Sequence, residues 1–128
     1  MRLLLDTHLL LSVGKTPERL SPEAIHLITD PANAVTFSVA SIWEVAIKSA
    51  KRRPDFDLSP HLFRGRMLRE GYEELPIAGE HAAAVAELPR LHGDPFDRLL
   101  VAQAKVEGLT LLTADRALAQ YPGPIRIV

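Results

Sequence analysis

Short apolar runs that alternate with longer amphipathic stretches constrain this chain more than any other feature. The runs Arg2–Leu5, Ala34–Ser38, Glu73–Ile77, Thr110–Thr113 and Ile125–Val128 read as strands. Between them lie segments with helical starts and stops. Ser21-Pro22 and Ser59-Pro60 each set a capping hydroxyl before a proline at the first helical position, and Asp94-Pro95 does so with a carboxylate. The helix from Pro95 meets its stop at Gly108. Ser41-Ile42-Trp43-Glu44 matches a capping box, which predicts a helix opening at Ser41 with Glu44 in its first turn. Within it, Ile42, Val45, Ala46 and Ser49 share one small or apolar face. Residues 79–88 and 115–120 read as two further short helices, stopped by Pro89 and followed by Pro122. Strand–helix alternation of this kind is βαβ construction, so the fold class is α/β with a parallel sheet.

Bulk properties narrow the function. A chain of 128 residues fits one domain, 1–128, and 47% hydrophobic residues supply a core for it. The absence of cysteine excludes disulfides, thiolate metal sites and cysteine nucleophiles. The opening apolar stretch is broken by Asp6 too early for a signal-peptide core. No later run approaches the ~18 apolar residues of a membrane span, so a cytoplasmic protein without membrane contact is expected. A net charge of −1 gives no global pull toward nucleic acid, so any such binding must be local.

In a parallel sheet, strand C-termini and helix N-termini share one edge, where ligands bind in open α/β sheets. Asp6 follows the first strand, and Glu44 lies near the start of the helix after the second. Asp97 lies in the first turn of the helix that returns before the fourth strand, and Asp115 sits two residues beyond that strand. All four therefore fall on one edge. Crowded carboxylates repel unless a cation intervenes. A hard divalent ion with oxygen ligands resolves this, and such ions activate water and steady a phosphoryl group. Phosphate chemistry follows, without a choice of substrate.

The segments Leu3-Leu4-Leu5-Asp6-Thr7-His8, Ser41-Ile42-Trp43-Glu44-Val45-Ala46-Ile47-Lys48, Asp94-Pro95-Phe96-Asp97-Arg98-Leu99-Leu100-Val101-Ala102-Gln103-Ala104 and Leu112-Thr113-Ala114-Asp115 closely resemble the PIN domain. More narrowly, they resemble the VapC-like ribonuclease toxins of type II toxin–antitoxin pairs. The resemblance runs from Met1 to the last strand. It implies a three-layer α/β/α sandwich around a mainly parallel sheet of about five strands. It implies a Mg²⁺- or Mn²⁺-dependent endoribonuclease that dimerises and is silenced by a cognate antitoxin covering the cleft. It assigns Asp6, Glu44 and Asp97 as the core metal acids, Asp115 as a less constant fourth, and Thr113 as a site-orienting hydroxyl. It also gives Asp97 to the metal and Asp94 to the cap, which spacing alone leaves open.

Each residue also has an ordinary reading. Asp6, Asp97 and Asp115 can serve as helix-capping or helix-dipole acids, and Glu44 can pair with Lys48 at i,i+4. His8 reads as structural or substrate-adjacent, and His92 carries no signal. Trp43 reads as a core or dimer contact rather than a base-stacking platform. Lys51-Arg52-Arg53 reads as a solvated helix end, and Arg98 and Arg116 are the better candidates for gripping RNA phosphates. Three other functions compete. A phosphatase of the haloacid-dehalogenase type wants a second Asp where His8 stands, and a signalling receiver wants an Asp after the third strand, where Pro76-Ile77-Ala78 follows. A catalytically silent PIN-like module that only binds RNA or protein typically lacks one or more acids, whereas all four are present here.

Overall fold

The computed structural model describes residues 1–51, 58–91 and 93–128. Five strands form one all-parallel sheet: β1 (Arg2–Leu5), β2 (Ala34–Ser38), β3 (Glu73–Leu75), β4 (Thr110–Thr113) and β5 (Ile125–Ile127). Their spatial order is β3-β2-β1-β4-β5. The chain builds outward from β1 through β2 to β3, then crosses back to lay β4 and β5 on the other flank. The β1–β4 seam is therefore the point where the strand order reverses, the usual ligand crevice of open α/β sheets.

Both faces of the sheet are buried. Within β1, Leu3 and Leu5 join an apolar cluster with Leu9, Leu10, Leu27, Phe37, Val45, Phe63 and Met67. Leu4 points the other way, into a cluster with Leu100, Val101, Ala104, Leu111, Leu118 and Tyr121. This is the period-two alternation of a strand covered on both sides. Helices α1 (Thr7–Lys15), α2 (Pro22–Thr29) and α4 (Pro60–Arg69) supply the first layer. Helix α6 (Pro95–Glu107) supplies most of the second, with α5 (Gly79–Ala84) beside it. Helix α3 (Val39–Ala50) serves both, through Val45 and Ala40. The result is the three-layer α/β/α sandwich that the alternation and the resemblance lead one to expect.

Most boundaries match the sequence signals. Ser21, Ser59 and Asp94 are N-caps with proline following, and Gly108 ends α6 in the left-handed region at φ 67°. Two segments differ. Residues 79–88 form α5 followed by a 3₁₀ turn at Val85–Glu87, and residues 115–120 form a 3₁₀ turn at Arg116–Gln120 capped by Asp115. Helix α3 opens at Val39, not at Ser41. Its cap is Ser38, whose Oγ accepts the Ala40 N–H at 3.0 Å. Glu44 therefore lies in the second turn, about 4.5 Å deeper along the axis than the capping box implies. Arg52, Arg53 and His92 lie outside the described residues. Among the described residues, no helix is long and apolar enough to cross a membrane.

Candidate active site

The site begins at Asp6. Register pairs Leu5 with Leu112, so Asp6 and Thr113 meet one step past the end of the β1–β4 ladder. The Thr113 hydroxyl donates to Asp6 Oδ2, and the Leu9 N–H donates to Oδ1 at 2.8 Å. Asp6 thus caps α1 and is clamped from two sides while only 2% exposed. Thr113 Oγ1 also accepts the Asp115 N–H at 3.0 Å, so one hydroxyl orients both acid-bearing turns. Asp115 Oδ1 accepts the Ala117 N–H at 3.0 Å, which is its ordinary capping role.

Burial holds the Asp6 carboxyl above the ordinary carboxylate range. The Thr113 hydroxyl, the Leu9 N–H and the nearby His8 pull it partway back, and the charge of Asp115 adds to the rise. Asp6, His8 and Asp115 therefore share one electrostatic neighbourhood.

Glu44 is 4% exposed. Its Oε2 accepts from Lys48 Nζ at 2.8 Å, as the i,i+4 spacing suggests. Its Oε1 is buried and finds no hydrogen-bond partner among the described residues. Such an oxygen normally has a partner, and leaving one bare costs about 1–3 kcal/mol. The helix that carries it is fastened to the Asp6 turn. Thr7 Oγ1 donates to Ser41 Oγ at 2.9 Å, both side chains buried. Ser41 is therefore an inter-helix tether and not the cap.

Asp97 is half-buried in the first turn of α6, behind the Asp94 cap, which accepts the Phe96 and Asp97 N–H groups at 2.9 and 3.2 Å. Gln103 locks α6 to the sheet. Its Oε1 accepts from Ser38 Oγ at 2.5 Å, and its Nε2 donates to Pro76 O at 3.4 Å. Thr7, Ser38 and Gln103 escape the sequence reading. A buried polar tether carries no motif of its own, although Thr7 and Gln103 fall within or beside the segments that resemble a known family.

Arg98 is engaged within the fold. Its guanidinium donates to Pro89 O at 2.8 Å, Val85 O at 3.2 Å and Tyr121 Oη at 3.2 Å. These bonds tie α6 to the end of the Val85–Glu87 turn and to Tyr121, which gives Arg98 a structural role beside the phosphate-gripping one expected of it. Arg116 is exposed beside Asp115 and keeps the phosphate-facing role open.

The structure thus brings Asp6, Thr113 and Asp115 together at the β1–β4 seam, with Glu44 and Asp97 on flanking helices of the same edge. Among the described residues, no three His, Cys, Asp or Glu side chains are already grouped as a metal-holding set. The donor chemistry nonetheless fits a hard divalent cation. Every candidate is a carboxylate, and Glu44 offers a buried oxygen that no group among the described residues satisfies.

A parallel sheet with buried carboxylates at its switch point defines an α/β domain of the kind that takes cations or phosphate-bearing ligands on its carboxyl edge. Comparison narrows the class. The model of the PIN domain matches residues 3–124, and the chain belongs to the PIN domain family. It is 32% identical over 127 residues to Ribonuclease VapC22 of Mycobacterium tuberculosis, covering 97% of this chain and 96% of that protein. Two solved structures share the fold. VapBC2 from Rickettsia felis bound to a DNA fragment from its promoter superposes with a TM-score of 0.74 at 17% identity, covering 99% of this chain and 98% of that one. DNA-bound VapBC from Salmonella typhimurium gives 0.63 at 22% identity, covering 100% and 97%.

Proposed function

We propose that the chain is a divalent-metal-dependent endoribonuclease, the toxin of a type II toxin–antitoxin pair. The observation that carries this reading is two buried carboxylates, Asp6 just past β1 at the seam where the sheet's order reverses and Glu44 in the second turn of α3, at 2% and 4% exposure. Lys48 answers one Glu44 oxygen, and a further cation would answer the other together with the buried Asp6 carboxylate. The name of the Mycobacterium tuberculosis relative supports ribonuclease chemistry, and the paired toxin–antitoxin structures support a protein partner.

In this reading Asp6, Glu44 and Asp97 hold Mg²⁺ or Mn²⁺, and Asp115 completes the acidic pocket. When bound, the ion supplies Lewis-acid stabilisation of the phosphate and activation of water. Thr113 keeps Asp6 aimed and ionised. The Thr7–Ser41 and Ser38–Gln103 bonds fix α3 and α6 against the sheet, so the three acids are presented from rigid elements. Arg116 grips a flanking phosphate. The protein works in the cytoplasm as a homodimer, inhibited by its antitoxin.

One observation favours the alternative of a silent RNA- or protein-binding module: the acids are not already grouped among the described residues. Purified protein incubated with total cellular RNA, with and without Mg²⁺, separates the two. Cut ends that require Mg²⁺ and vanish in Asp6→Asn support the nuclease. Intact RNA, together with no Mn²⁺ or Mg²⁺ binding on titration, supports the silent module.

A further inference from the structure

Trp43 is not a core residue. It is 56% exposed, on the surface of α3. Its indole meets the ring of Phe96 with centroids 5.2 Å apart and planes at 75°. Phe96 is half-buried and packs onto the cluster that contains Leu100, Val101 and Tyr121, so the exposed indole leans on an anchored ring. Edge-to-face pairs of this kind attract beyond the area they bury. The indole is therefore held rather than swinging, which lowers the entropy lost when something settles on it. The pair spans the α3–α6 seam, and each ring directly precedes a candidate metal acid, Glu44 and Asp97.

We infer that Trp43, braced by Phe96, is a nucleobase-stacking site that positions a single-stranded nucleotide beside the acidic edge. The inference rests on the ribonuclease reading and adds where the substrate is gripped. Two further observations favour a base as the occupant. The chain has a net charge of −1, so attraction for a polyanion is weak, and Arg98 is committed to backbone carbonyls. Part of the affinity for RNA is then expected from contacts other than charge, beside local cations such as Arg116. Stacking on an aromatic face supplies it without reading sequence. Each ring directly precedes in the chain an acid proposed to hold the cation, which assigns the phosphate to the acids and the base to the rings.

Trp43 is the single tryptophan, so its fluorescence reports this site alone. The test uses the full chain carrying Asp6→Asn, which keeps RNA whole and makes binding readable whether or not the wild type cleaves. An adenosine- and uridine-containing 12-nucleotide RNA is expected to quench the emission on binding. An oligomer of the same length made of abasic ribose phosphates is expected to leave it unchanged. Trp43→Ala, checked for an unaltered melting temperature, is expected to weaken RNA binding about ten- to one-hundred-fold, with Trp43→Phe restoring most of it. Equal quenching by the abasic oligomer overturns the inference, because charge alone then explains binding. No quenching by the base-bearing oligomer also overturns it. So does an indole shielded from acrylamide before RNA is added, since a second copy or another protein surface would then be its occupant.

Discussion

Thr113 donates its hydroxyl hydrogen to Asp6 across 107 residues of sequence, from the end of β4 to the end of β1. The bond stabilises the ionised carboxylate against the burial that opposes it. Thr113→Val keeps the shape and removes the donor. The Asp6 carboxyl then moves further up, and the Asp115 N–H loses its acceptor. The acid limb of the cleavage profile should shift to higher pH, and unfolding stability at neutral pH should fall by about 1–3 kcal/mol. Thr113→Ser should restore both. pH–rate profiles with urea titrations check this, and an active Thr113→Val enzyme with an unmoved acid limb would refute it.

Asp6 itself sets a trade between function and stability. Its folded carboxyl is raised above its unfolded value, so the native state binds more protons in the window between the two. Stability is then greatest below the unfolded value and is lost as pH rises through the window to the folded one. Above that window the ionised, metal-free Asp6 is a net burden. Asp6→Asn keeps an oxygen for the Leu9 N–H but loses the one that accepts the Thr113 hydroxyl, a loss that removal of the buried charge is expected to outweigh. In chelator, the variant should melt above the wild type at pH 7.5, the gap closing as pH is lowered toward 4, while cleavage is abolished. A variant that melts below the wild type at pH 7.5 would show that the carboxylate is stabilising after all.

Why some of this is legible in the chain and some is not follows from the range of the interactions. Strand ends and caps are local. Arg2–Leu5, Ser21-Pro22 and Asp94-Pro95 announce themselves within a few residues, and Gly108 falls where a left-handed stop is needed. Parallel order then sends strand ends and helix starts to one edge. The errors lie where a local pattern is used for a distant purpose. Ser41-Ile42-Trp43-Glu44 looks like a capping box, yet Ser41 is spent on Thr7 and Ser38 caps the helix. Helix α1 has no start signal beyond Asp6, whose capping role is hidden behind its charge. Arg98, beside Asp97, reads as a phosphate ligand, and its bonds to the carbonyls of Pro89 and Val85 are invisible in the sequence because no local pattern announces them.

Glu44 offers the most direct reading of the cation. With Oε1 bare and buried, a divalent ion gives that oxygen a partner and stabilises the native state alone. At a hundred times its dissociation constant, linkage contributes about 2.7 kcal/mol. For a domain of this size that raises Tm by roughly 5–10 °C. Mn²⁺ or Mg²⁺ added to the wild type should produce such a rise, and Glu44→Gln should reduce it to a fraction. Thermal melts in chelator and in millimolar cation are sufficient. An equal rise in Glu44→Gln would remove this residue from the ligand set.

The two arginines near the edge should separate cleanly by substitution. Arg98 bonds four oxygens, those of Val85, Leu88, Pro89 and Tyr121, and lies over the Tyr121 ring at 5.9 Å. Arg98→Ala should lower unfolding stability by about 2–3 kcal/mol, because charge-assisted bonds to half-buried carbonyls are lost together. Arg98→Lys should not rescue it, since one ammonium lacks the planar fork that reaches several acceptors at once. RNA affinity of the folded variant should be unchanged. Arg116→Ala should do the reverse. Its stability should stay within about 0.5 kcal/mol of the wild type, while RNA binding weakens and the salt dependence loses about one unit of slope. Denaturant unfolding paired with RNA titrations at several salt concentrations measures both. If Arg98→Ala were fully stable and defective in RNA binding, the carbonyl bonds would be incidental and the phosphate role would return to it.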